Sequence, residues 1–149
     1  MFRLRQAPTG DLREDKFSIS MDDTRSWDLI VPGWRDVVVG RSGETAYAWS
    51  ARSVIVLPAN PDLSPAVIPF NDEDIVAAFP AGDLWLLVAE TSIRLVGADI
   101  ETARIDLREV VDFASFDGSI VTITDVDRDV YRFEVSQTQL LETAANLSR

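Results

Sequence analysis

Three stretches of the chain repeat one pattern of apolar and polar positions. Each has an apolar run, a tight turn carrying Gly, a second apolar run, a short polar turn and a third apolar run. The first is Val37-Val38-Val39, Gly43, Ala46-Tyr47-Ala48-Trp49 and Val54-Ile55-Val56-Leu57. The second is Ile75-Val76-Ala77-Ala78, Gly82, Leu84-Trp85-Leu86-Leu87-Val88 and Ile93-Arg94-Leu95-Val96. The third is Val110-Val111-Asp112-Phe113, Gly118, Ile120-Val121-Thr122-Ile123 and Val130-Tyr131-Arg132-Phe133. The turn glycines lie 39 and 36 residues apart, a period typical of stacked repeats.

Run length, β-branched and aromatic content and the Gly-Asp turns predict strands. Leu84 to Val88 is apolar on both faces, which predicts a strand covered on both sides. Ile120 to Thr124 alternates, which predicts one face toward solvent. Candidates for a fourth strand precede each unit: Trp27 to Val31, Ala66 to Phe70 and Ala103 to Leu107. Pro69 has no N–H for a ladder, so its strand belongs at an edge. The segment Pro58 to Pro65 holds three prolines and reads as a surface loop.

Before the first unit, Phe2 to Arg5 and Phe17 to Met21 alternate as short strands. Gly10-Asp11-Leu12 echoes Gly82-Asp83-Leu84, and Gly10 lies 33 residues before Gly43, which suggests a degenerate fourth copy, although its middle segment, Leu12 to Lys16, is highly charged. At the other end the period changes. Ser136-Gln137-Thr138-Gln139 matches a capping box, and Leu140, Leu141, Ala144 and Leu147 fall on one helical face. The pattern predicts a short helix over 137–147.

The expected architecture is a single all-β domain over residues 1–149. It consists of tandem antiparallel meander units at about 27–57, 66–96 and 103–135, closed by the C-terminal helix. Over residues 27–135 the pattern resembles β-propeller blades, without the Gly-His and Trp-Asp signatures of WD40 repeats. The resemblance implies small sheets stacked face to face. Closed rings typically hold about four to eight blades. A fourth unit from the N-terminal segment, or a second chain in a homo-dimer, would then be needed. A β-trefoil and a β-sandwich remain open alternatives.

Composition narrows function by exclusion. The 149 residues include no Cys and no His, so thiolate chemistry and the commonest general base and metal ligand are absent. A formal charge of −11 opposes binding to nucleic-acid phosphates and anionic lipid, and favours encounter with basic proteins. No apolar run reaches membrane-spanning length and the N-terminal sequence has no signal-peptide core, so a cytoplasmic setting is expected.

Candidate chemistry is sparse. Asp125, Asp127 and Asp129 alternate in a way that suits Ca²⁺ ligation. The EF-hand sequence fails because Val130 and Ser136 occupy the required Gly and Glu positions, and a solvated hairpin turn is the expected state. Lys16 with Ser18 and Ser20 reads as a polar strand face, since no pocket is marked around a Ser-Lys pair. No catalytic residue, metal ligand or cofactor is assigned. The binding candidates are Trp34 and Arg35, an aromatic-cation pair of the kind found at interface hot spots, together with the acidic clusters Asp22-Asp23 and Asp72-Glu73-Asp74.

The function these features favour is a non-enzymatic protein-interaction module. One form of it is a small acidic inhibitor, such as an immunity-type protein masking a basic toxin. A carbohydrate- or small-ligand-binding module, with Trp34 stacking on a sugar ring, is an alternative. A structural subunit of a larger assembly is another.

Overall fold

The computed structural model describes residues 2–7, 14–21, 25–32, 37–42, 45–60, 62–97, 99–137 and 139–143. The chain divides into two compact units, Met1–Asn71 and Asp72–Arg149.

The first unit holds two antiparallel meander sheets. One is three-stranded, with β1 (Phe2–Ala7), β2 (Glu14–Met21) and β3 (Arg25–Pro32) in that order. Ile19 and Trp27 are direct partners across β2 and β3, and both are buried. The charged segment at 14–16 is part of β2, so its polarity does not stop the ladder. The second sheet has β4 (Val38–Ser42), β5 (Thr45–Trp49), β6 (Ser53–Leu57) and β7 (Ala66–Pro69). Ile19 and Trp27 join Val37, Ala46, Ala48, Ile55 and Leu57 in one core. Gly40 on β4 faces Tyr47 on β5, and a Cβ at Gly40 would come within 2.5 Å of the Tyr47 ring. The absent side chain makes room for the buried phenol ring.

The second unit repeats the meander twice. Its first sheet has β8 (Ile75–Ala81), β9 (Leu84–Ala89), β10 (Ser92–Val96) and β11 (Glu101–Asp106). Its second has β12 (Val111–Phe116), β13 (Ile120–Asp125), β14 (Val130–Val135) and β15 (Leu140–Glu142). A two-residue turn, Gly82-Asp83, joins β8 to β9, with Gly82 in the left-handed region that such hairpins demand. Strand β9 is buried on both faces, as its continuous apolar run predicts, and β10 is as well, whereas β13 alternates. Leu86, Val88, Ile93, Leu95, Val121, Ile123, Phe133 and Leu140 form the core of this unit. Each such fully buried aliphatic side chain contributes about 1.5–3 kcal/mol relative to exposure.

Two expectations change. The candidate fourth strands pair with the sheet before them and not the one after. Here β7 pairs with β6, β11 with β10, and β3 with β2. An outer strand has the same two-residue period in either sheet, so pattern alone does not choose its neighbour. As Pro69 requires, β7 is an outer strand of its sheet.

The second change is at the C-terminus, where Leu140–Glu142 is a strand paired with β14 and not part of a helix. The Ser136 hydroxyl does accept the Gln139 N–H at 3.2 Å, as an N-cap would. The Ser136 N–H, however, donates to the Gln139 carbonyl at 3.0 Å, and this closes a reverse turn that returns the chain along β14. The remainder of the expected helix, 144–147, lies outside the described residues.

Candidate functional site

Of the binding candidates, Asp22, Asp23, Trp34 and Arg35 lie outside the described residues, as does Gly43. Asp72, Glu73 and Asp74 lie just before β8, and the first two are tied to a residue the sequence reading passed over. Arg94 sits in the middle of β10 and is 2% exposed. Its guanidinium donates to Asp72 Oδ2 at 2.6 Å, Glu73 Oε2 at 2.8 Å, Glu101 Oε1 at 3.2 Å and Ser92 Oγ at 3.0 Å. Glu73 also accepts from the Thr91 N–H and from the Thr91 and Ser92 hydroxyls. Burial alone would raise the Glu73 pKa, but these hydrogen bonds outweigh it and hold the carboxyl at about 2. Glu73 is therefore part of the fold's internal wiring, while Asp74 is exposed. The signal for Arg94 was its place in an apolar run covered on both faces. A charge there requires a buried counter-charge.

A concave site lies elsewhere in the second unit, where the two sheets approach. The β13–β14 turn runs through Asp125 to Asp129. Asp125 Oδ1 accepts the N–H groups of Asp127 and Asp129 at 2.9 and 3.0 Å, and Arg128 takes a left-handed φ of 72°. This is the expected hairpin turn, with one departure. Asp125 is only 3% exposed, and its Oδ2 is buried with no hydrogen-bond partner among the described residues.

Asp125 lines a cavity of about 310 Å³. Its lining also includes Ile105 to Glu109, from the end of β11 and the segment leading to β12, with Tyr131 and Phe133 of β14 and Glu142 of β15. Four lining carboxylates, Asp106, Glu109, Asp125 and Glu142, stand against one guanidinium, Arg108. Asp106 is also paired with Arg104 at 2.8 Å. The Tyr131 phenol is held above its ordinary pKa, first by burial and then by the negative charges of Asp129 and Asp125, with Glu142 adding and Arg108 opposing. The cavity is thus a partly apolar cleft in a negative field. Among the described residues, no group of three or more Asp or Glu side chains has the geometry to hold a metal ion.

No protein family matches the chain, and no curated protein matches it. Among solved structures it is similar to the N-terminal domain of Nup159, with a TM-score of 0.58 and 12% identity over 97% of this chain and 41% of that one. It is also similar to HIRA 644–1017, with a TM-score of 0.51 and 11% identity over 95% of this chain and 48% of that one. The chain thus spans less than half the length of either structure. At this identity the likeness is one of fold. Together with the successive sheets it shows an all-β fold built of tandem antiparallel meander sheets.

Among the described residues, no helix is long and apolar enough to cross a membrane.

Proposed function

We propose that this chain is a non-enzymatic protein-interaction module whose partner presents a basic surface. The carrying observation is the cavity of the second unit, where carboxylates from β11, β13, β15 and the segment before β12 converge around a partly apolar cleft. The formal charge of −11 acts in the same direction, drawing in cations over a longer range. A propeller-like fold supports the reading only as a rigid scaffold that can present such a surface, because fold by itself does not specify function. The missing His and Cys remove the side chains most often used as bases and nucleophiles.

The test is fluorescence anisotropy with a labelled peptide carrying three arginines, at about 0.15 M salt, where exposed charges are largely screened beyond about 8 Å. Saturable binding that weakens with added salt, and that vanishes when citrulline replaces arginine, is the expected result. An equal response to the citrulline peptide, or none to either, would overturn the proposal.

A further inference from the structure

We propose that the cavity between β11 and β14 receives one guanidinium side chain of the basic partner, with Asp125 as its buried acceptor. This rests on the interaction reading above and specifies what the site recognises.

Asp125 is the first reason. One of its oxygens is fully used by the turn, which fixes the carboxylate in place. The other is buried and unpartnered among the described residues. Leaving a buried acceptor unsatisfied is costly, so a donor that reached this oxygen would be held strongly. The turn thus spends its hydrogen bonds on fixing a carboxylate whose second oxygen no described residue uses.

Size and lining are the second. A volume of about 310 Å³ lies at the bottom of the range for small-molecule pockets, about 300–1,000 Å³. It suits a single long side chain better than a cofactor. Ile105, Leu107 and Phe133 offer apolar walls for a methylene stem, and the Tyr131 ring offers a face for a cation. Carboxylates on several sides match a planar fork of five N–H donors more fully than they match the compact ammonium of lysine. Arg108, in the lining of the same cavity, disfavours a second cation and so limits the site to one.

The experiment uses the full chain, ¹⁵N-labelled, titrated with the neutral-flanked peptide acetyl-Gly-Ser-Arg-Ser-Gly-amide and with its lysine counterpart. Shifts are expected to concentrate at residues 105–109, 125 and 131, and the arginine peptide should bind more tightly. Asp125→Asn keeps a carbonyl oxygen for the turn but replaces the unpartnered oxygen with a donor. It should weaken the arginine peptide about tenfold or more. Glu109→Gln, in the segment between strands, should weaken it by a smaller factor and leave the turn untouched.

Equal binding of the lysine peptide would overturn the guanidinium assignment. Shifts spread over the surface, or full affinity in Asp125→Asn, would overturn the cavity as the site. If the three-arginine peptide still bound saturably in that case, the basic-partner reading would stand without this cavity. If neither peptide bound, both proposals would fall.

Discussion

Arg94 and Glu73 meet at 2.8 Å across 21 residues of sequence, and the guanidinium is buried with the carboxylate as one of its three acidic partners. Removing the guanidinium takes away its charged hydrogen bonds and leaves a gap in β10, while Glu73 keeps its bonds from Thr91 and Ser92. Arg94→Ala is expected to destabilise the second unit by about 1.5–3 kcal/mol, measured by urea unfolding. A loss below about 1 kcal/mol would place the network among the ion pairs that contribute little.

The same carboxylate predicts an acid response. The Glu73 pKa is about 2 in the folded chain against an ordinary 4.5. A depressed folded-state value means that the unfolded chain takes up the proton first. Its contribution is complete above 4.5 and is lost as pH falls toward 2. Stability measured through that window should fall less steeply in Glu73→Gln than in the natural chain. Parallel curves would exclude Glu73 as the source.

In the first unit, Gly40 makes room for the Tyr47 ring, so Gly40→Ala forces the ring or the strand to move. Overpacking of this kind costs about 1–3 kcal/mol. Adding Tyr47→Leu should recover part of the Gly40→Ala loss, giving a double-mutant cycle with clear coupling. Strict additivity in chemical denaturation would count against the contact.

Gly118 isolates backbone strain from packing. Its φ is 100°, and a Cβ there would meet nothing within 4 Å. Gly118→Ala should therefore cost about 1–2 kcal/mol from conformation alone. An unchanged denaturation midpoint would mean that the turn relaxes to another form.

Strand β15 is tested by adjacent residues. In the hairpin Leu140 is 8% exposed and Leu141 is 53% exposed, whereas a helix would turn both toward its apolar face. Leu140→Ala should cost about 2 kcal/mol or more, and Leu141→Ser about 0.5 kcal/mol or less. Equal large losses would favour the helix.

Much of the β structure was legible along the chain because it depends on local chemistry. The apolar run at 84–88 marks a strand buried on both faces. Gly82 and Gly118 mark turns that need a left-handed residue. Pro69 marks an outer strand. The Ser136 motif was legible as a capping device but not as a helix or a turn, since the same hydroxyl-to-amide bond serves both.

The sequence by itself determined an acidic chain of successive antiparallel meanders, without His or Cys, because composition and two-residue alternation are properties of neighbours. Tertiary structure decided which sheet each outer strand joins. It also decided that Glu73 serves Arg94, and that Asp125 shares a cavity with residues 105–109 and Glu142. The last two relationships join positions 16 to 21 residues apart, brought together by strand pairing and by the packing of one sheet against the next. No local pattern records which distant partner will be there, because burial, and the need for a counter-charge that follows from it, exist only once the sheets have closed.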